Sequence, residues 1–335
     1  MISAVQYSLS DFDYHLPEEL IAQAPAHPRD YARLLVYRRS DKSITDTYFY
    51  NLYRHIDRNT TLVLNNSKVE KARLLFGNME VFVLRTFNTR TIEAMVRPGR
   101  KFKEGKTVEL ADGITATVTG IADDGVRRLE LNMDIDDARL EPYRRTPFPP
   151  YIDAAEQLAS EYQTVYAKPL GSKAAPTAGL HFTELQLLDL KAQGFGIEEV
   201  TLHVGLGTFA PVKTEDIDDH KLHSETWMVN ESTATALSHA KHITAVGTTS
   251  VRVLESAVMP PRTFQESSGD TEIFIKPGYQ FQAVDSLITN FHLPKSTLLM
   301  LVSALTGFDE MHRIYEHAVN ERYRFFSFGD AMLIV

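Results

Sequence analysis

The chain has 335 residues, 43% of them hydrophobic and 24% charged, with a formal net charge of −9. That is an ordinary globular balance, long enough for one large or two medium domains, and it argues against a generic basic nucleic-acid binder. There is no cysteine and no run of 18 apolar residues, which excludes disulfides, thiolate metal sites and a helical membrane span. The opening MISAVQYSLSDFDYHL lacks a basic stretch followed by an apolar one, so no signal peptide is expected and the chain reads as cytoplasmic, without membrane contact.

Pro17-Glu-Glu-Leu-Ile-Ala22 reads as a short helix with Pro in its first turn. Arg33–Tyr37 and Leu62–Asn65 read as strands, and Asp30 is a possible partner for Arg33. The second strand ends in Asn65-Asn66-Ser67, polar groups where α/β proteins gather ligands. From Lys68 to about Tyr143 the pattern becomes short alternating segments: 79–87, 91–97, 107–110, 114–121 and 126–133, separated by Asn, Pro-Gly and Asp-Gly turns. Such a series without helices implies a small β-barrel, here interrupting an α/β chain. The expected boundaries are a main domain at 1–67 and 147–335 with a barrel inserted at 68–146. Residues 66–150 hold 15 Lys and Arg against 13 Asp and Glu, whereas the remainder holds 20 against 31. The densest positive clusters are Arg97, Arg100, Lys101, Lys103 and Lys106, then Arg144-Arg145; either reads as a nucleic-acid contact or a solvated loop.

Pro147-Phe-Pro-Pro-Tyr151 is a rigid extended segment presenting Tyr151. The run Glu161–Glu184, EYQTVYAKPLGSKAAPTAGLHFTE, joins small residues that admit close backbone approach to His181. Thr183 with Gln186 predicts a capped helix over 184–193, closed by Gly194, whose N-terminus would suit an anion. A strand over 198–204 ends at His203 and runs into Gly205-Leu-Gly207-Thr-Phe-Ala210. This matches G-x-G-x-x-A formally, but Pro211 follows where a dinucleotide site needs a helix, so it reads as a glycine loop near a ligand. His220-Lys-Leu-His223-Ser-Glu225 offers a base, a nucleoside-holding pair or structural histidines. With no cysteine and no HExxH, no metal site is expected. A strand over 243–247 feeds Thr248-Thr249-Ser250 and a helix over 251–256, an anion or ribose cradle with Arg252 one turn in. Strands are expected at 271–276 and 286–291, the latter ending Thr289-Asn290-Phe-His292. A buried helix over 296–306, an amphipathic helix over 310–322 and an aromatic run from Tyr323 close the chain.

Several of these strings, in this order, closely resemble the S-adenosylmethionine:tRNA ribosyltransferase-isomerase family. They are FDYHLPEELIAQAPAHPRDYARLLV, PFPPYI, AAPTAGLHFT with the residues before it, VTLHVGLGTFAPV, DHKLHSE, AVGTTSVRVLES, LITNFHLPKSTLLMLVSALTG and YRFFSFGDAMLI. The resemblance covers nearly the whole chain. It implies an α/β main domain, a three-layer sandwich with a mixed sheet, plus the inserted β-barrel. It also implies the reaction. S-adenosylmethionine serves as ribosyl donor, and the acceptor is 7-aminomethyl-7-deazaguanine at the wobble position of a tRNA with a GUN anticodon. Adenine and methionine leave, giving epoxyqueuosine. No metal or redox cofactor is expected, and a monomer is favoured over a homodimer.

That chemistry needs a base for the proton on the 5′ carbon, acidified by the sulfonium, a donor for the departing adenine, and exclusion of water. The candidate catalytic residues are His181, His203, His223, Glu225 and His292, with base and acid unassigned. The candidate S-adenosylmethionine contacts are Thr177, Gly179, Gly205, Gly207, Thr248, Thr249, Ser250, Arg252 and Asn290. Two other classes fit the same features less well. An RNA methyltransferase would need a glycine loop in a Rossmann unit. A non-catalytic RNA-binding protein would leave the dense His, Glu and Thr constellation unused.

Overall fold

The computed structural model describes residues 7–123, 125–152, 156–205, 214–220 and 222–335. The chain divides into two compact units, Met1–Lys68 with Pro149–Val335, and Val69–Phe148. Among the described residues no helix is long and apolar enough to cross a membrane.

In the larger unit nine strands form one mixed sheet. Their order is Ser267–Thr271, Glu225–Val229, Gly196–Leu202, Thr60–Asn65, His242–Val246, Ser286–Asn290, Ala331–Ile334, Arg33–Arg38 and Ser43–Tyr48. The third to sixth of these run parallel to one another. The strands at Glu225 and Ala331 run antiparallel to their parallel neighbours, and Arg33–Arg38 follows the direction of Ala331–Ile334. Six strand ends and three strand starts therefore meet at one edge, the place where open α/β sheets bind ligands.

Both faces of the inner strands are covered, so those strands are buried on both sides rather than alternating. Leu35, Val63, Ile243 and Leu287 enter one core; Leu34, Leu62, Leu64 and Ile288 enter a second. Helix α1 (Glu184–Ala192) adds Leu190 to the second core beside Phe49 and Leu52. Helices α2 (Glu231–His239), α3 (Thr248–Ala257), α4 (Thr297–Thr306) and α5 (Phe308–Asn320) add Leu237, Leu254, Val302 and Ile314 to the first. Each such side chain contributes about 2 kcal/mol by leaving water.

Several elements depart from the sequence reading. The strand expected at 271–276 lies at Ser267–Thr271 instead. It is a polar edge strand held by backbone pairing to Glu225–Val229, so hydrophobic pattern gives no sign of it. The edge strand Ser43–Tyr48 and helix α2 carry too few apolar residues to be read from pattern. The segment after Pro17 is a single 3-10 turn, Glu18–Leu20. Arg33 does not turn to Asp30: its guanidinium lies 3.8 Å over the Tyr323 ring and bonds the Glu321 carbonyl.

The smaller unit is a seven-stranded antiparallel sheet ordered Arg144–Arg145, Arg73–Phe76, Met79–Thr86, Thr91–Arg97, Arg127–Leu131, Ile114–Ile121 and Thr107–Ala111. The sheet curls into a half-barrel. Register shifts at Val83/Arg85, Glu109/Ala111 and Arg128/Leu129 supply the bend. Its concave core includes Leu74, Val81, Ile92, Val118 and Leu129.

One buried side chain extends the main sheet beyond its ladder. Asn65 is fully buried; its amide donates to the Leu202 carbonyl (3.0 Å), and its oxygen accepts from the Leu202 and Ser67 amides (3.0 and 3.2 Å). Asn65→Ala would strand three buried backbone groups. It should lower the unfolding free energy by about 3 kcal/mol, read as a reduced urea midpoint at unchanged slope. An unchanged midpoint would show that the clip is dispensable.

Candidate active site

Two cavities lie along the strand-end edge. The larger, about 390 Å³, is lined by Tyr151, Thr177, Thr248, Asn290, His292 and Ser327 among others. The smaller, about 30 Å³, is lined by His223, Glu225, Arg252 and Ile275 among others. The two share Thr248, Thr249, Thr297 and Leu298.

His292 follows the strand Ser286–Asn290, and its backbone is clamped at both polar atoms. The Tyr14 hydroxyl donates to its carbonyl (2.5 Å), and its amide donates to the Tyr315 hydroxyl (3.1 Å). Its Nε2 shares a hydrogen bond with Thr289 Oγ1 (2.8 Å). Burial pushes this imidazole down to about 3, so it is neutral at physiological pH.

Asn290 and Thr177 also line the larger cavity, and behind them stands His181. The Thr177 hydroxyl donates to Asn290 Oδ1 (2.8 Å), and Asn290 Nδ2 donates to His181 Nε2 (3.2 Å). That donation leaves the His181 proton on Nδ1. His181 is buried against Phe49, with ring centroids 5.1 Å apart. Burial, then the charges of Arg324 and Arg29, push it down to about 3. His181 thus stands one hydrogen bond behind Asn290, outside the lining of either cavity. Helix α1 does not meet the cavities as an anion site: Thr183 Oγ1 accepts from the Gln186 amide (3.1 Å) and closes that terminus.

The N-terminus that does reach the cavities belongs to α3. Its first residues Thr248 and Thr249 line both. Ser250 points elsewhere: it is fully buried and donates to the Val246 carbonyl (2.8 Å). Arg252 and Glu225 form a buried ion pair. The second Glu225 oxygen accepts from the Gly205 amide (2.9 Å), and Arg252 Nη2 donates to the Thr271 carbonyl (3.1 Å). Burial lowers Arg252 to about 10, which still leaves it charged. Both Glu225 oxygens are therefore engaged within the protein.

The remaining candidates lie apart from the larger cavity. Gly179 faces Tyr166: a Cβ there would sit 1.9 Å from the phenol oxygen, so it is glycine for packing. His203 is half-buried beside Gly171, whose substitution would bring a side chain within 3.1 Å of the ring. Burial, then the Lys173 ammonium, hold His203 below its ordinary range, and burial pushes Lys173 down to about 8. His223 is exposed at the mouth of the smaller cavity. Gly207, with the glycine loop from Leu206, lies outside the described residues. Among the described residues no group of three His, Asp or Glu is placed to hold a metal ion.

Sequence reasoning did not place one wall of the larger cavity. The Tyr151 hydroxyl bonds Ser327 Oγ (2.9 Å), its ring packs on Phe326 at 4.6 Å, and burial pushes the phenol up to about 12. Phe326, at φ +71°, sits in a tight loop closed by the Arg324 amide on Asp330 (2.8 Å) and by Gly329. A Cβ on Gly329 would lie 2.4 Å from the Arg324 carbonyl oxygen. The pairing joins residues 176 apart; the sequence signals were the aromatic run and the Pro-rich segment presenting Tyr151, with nothing local to pair them.

Residues 9–334 match the sequence model of the family described as queuosine biosynthesis protein. The chain belongs to this family. It is 48% identical over 339 residues to the S-adenosylmethionine:tRNA ribosyltransferase-isomerase of Symbiobacterium thermophilum, covering 98% of this chain and 99% of that protein. The enzyme of the same name from Halothermothrix orenii is 47% identical over 340 residues, with 98% and 99% covered. The crystal structure of S-adenosylmethionine tRNA ribosyltransferase from Thermotoga maritima, 37% identical, aligns with a TM-score of 0.57 over 97% of this chain and 100% of that one. Members of this family thus supply names for the chemistry that the cavity can be tested against.

The two buried histidines make stability depend on pH. Unfolded imidazoles bind protons as pH falls through 6.5, whereas His181 and His292 resist until about 3. Their contribution is complete above pH 6.5 and is lost as pH falls toward 3, because the unfolded state binds more protons. The unfolding free energy should fall between pH 6.5 and 4.5 by up to ~1.4 kcal/mol per pH unit for each histidine. His292→Gln should make that slope shallower by about one proton, measured by urea titration at several pH values. An unaltered slope would mean that His292 is not held neutral.

Proposed function

We propose that this chain transfers and isomerises the ribosyl moiety of S-adenosylmethionine onto 7-aminomethyl-7-deazaguanine at the tRNA wobble position. The products are epoxyqueuosine in tRNA, adenine and methionine. The observation that carries this reading is that six of the family's eight quoted motifs, spread along the chain, contribute residues to one cavity at the strand-end edge of the main sheet. The chain is then a transferase and isomerase of tRNA modification, with S-adenosylmethionine as substrate and tRNA as partner.

His292 is our choice of base for the 5′ carbon. Among the described residues it is the imidazole that lines the larger cavity, and its backbone is fixed by two tyrosines. The Tyr151 hydroxyl, kept neutral by burial, is our choice of donor to the departing adenine, beside the Phe326 ring. Thr177 and Asn290, held by His181, line the same space and exclude water from the reactive intermediate. Glu225 and Arg252 act by holding α3 in place.

Incubation with labelled S-adenosylmethionine and tRNA carrying the precursor base should release adenine and methionine in equal amounts, one each per modified tRNA. S-adenosylhomocysteine among the products would replace this reading with methyl transfer, and binding without release would leave a non-catalytic RNA-binding protein. His292→Ala should lower turnover by ~100-fold with the adenine-to-methionine ratio intact; near-normal turnover would remove it as the base.

Within the inserted unit, Arg97, Arg100, Lys103 and Lys106 are exposed, and none has an ion-pair partner among the described residues, while Lys101 bonds Asn78 (3.2 Å). These four are our candidates for tRNA phosphate contacts. Replacing Arg100 and Lys103 with Ala should weaken all cognate tRNAs alike and flatten the log–log salt dependence by about one unit per lost contact. An unchanged slope would return them to a solvated loop.

A further inference from the structure

Helix α3 begins where the two cavities meet. Its N-cap is Gly247, at φ +86°, which gives the first turn no side-chain cap. In a helix of ten residues the unbonded first-turn amides and the dipole together favour a negative group. Two further donors stand on the same helix face, three residues apart. Thr249 is 9% exposed and its hydroxyl has no hydrogen-bond partner; Arg252 is 7% exposed and its Nε has none. The other Arg252 nitrogens are used, Nη1 on Glu225 and Nη2 on the Thr271 carbonyl. Leaving one buried donor unmet is unfavourable, and both of these belong to residues that line one small cavity, where a single acceptor would serve the two. That cavity measures about 30 Å³, room for one carboxylate or a pair of waters.

We propose that the smaller cavity is the subsite for the methionyl carboxylate of S-adenosylmethionine, held by Thr249 Oγ1, Arg252 Nε and the first amides of α3. The proposal rests on the ribosyl-donor reading above and adds the direction in which the substrate lies. The adenosyl group occupies the larger cavity, and the sulfonium sits at the junction that Thr248, Thr249, Thr297 and Leu298 share. Glu225 neutralises Arg252, so recognition depends on placed hydrogen bonds and the helix dipole rather than on net charge. The departing methionine keeps its anchor while adenine leaves from the other cavity.

The test is calorimetric binding of S-adenosylmethionine and of decarboxylated S-adenosylmethionine, which lacks only that carboxylate. The wild-type chain should favour the intact substrate by about 50-fold. Thr249→Val should weaken the intact substrate about tenfold and leave the decarboxylated one within twofold, and Thr249→Ser should restore the difference. Equal binding of the two ligands by the wild type would overturn the subsite and return the space to ordered water. Equal weakening of both ligands by Thr249→Val would also overturn it. The wild-type ratio needs no variant, so the test stands even if Thr249→Val fails to fold. Discrimination without adenine release would leave the subsite standing and sink ribosyl transfer; release without discrimination would do the opposite.

Discussion

The active edge depends on the buried pair of Glu225 and Arg252. Both are nearly inaccessible, at 3% and 7% exposure. The pair ties together the strand starting at Glu225, the Gly205 amide after the neighbouring strand, the Thr271 carbonyl on the edge strand, and the first turns of α3. Removing either partner would leave an uncompensated buried charge, at a cost of about 3–5 kcal/mol. Arg252 stays protonated despite its burial, so the constraint persists across the neutral range. The pair anchors α3 one turn beyond its start, and the start itself, Thr248 and Thr249, lines both cavities.

The histidines differ in depth rather than in type. His292 lines the cavity on a backbone clamped by Tyr14 and Tyr315. His181, equally neutral, is one hydrogen bond further back, behind Asn290. His203 stands against the Gly171 turn within reach of the Lys173 charge. Imidazoles of one ordinary pKa thus sit in three settings, at the cavity lining, buried behind it and half-buried at a turn, and burial and neighbours lower each of them.

Much of this edge was legible in the sequence. Polar residues after apolar strands marked Asn65, Thr248 and Asn290 correctly as strand-end groups, because strand ends carry unpaired backbone and must meet polar partners. The Thr183 cap and Gly194 at φ +91° were readable from local chemistry, which needs no tertiary information. What was hidden depended on distant contacts. Nothing local says that Gly179 must clear Tyr166, that both Glu225 oxygens are engaged, or that Tyr151 meets Ser327. The polar edge strand Ser267–Thr271 was invisible for a related reason: backbone pairing, not side-chain burial, holds it.

The central claim is that S-adenosylmethionine reacts in the cavity between His292 and the start of α3. A crystal structure of the chain with S-adenosylmethionine bound tests it most directly. The account predicts adenosyl density against Tyr151 and Phe326, with the 5′ carbon on the His292 side of the sulfonium. Density for the ligand at any other place, with this cavity holding only water, would contradict it.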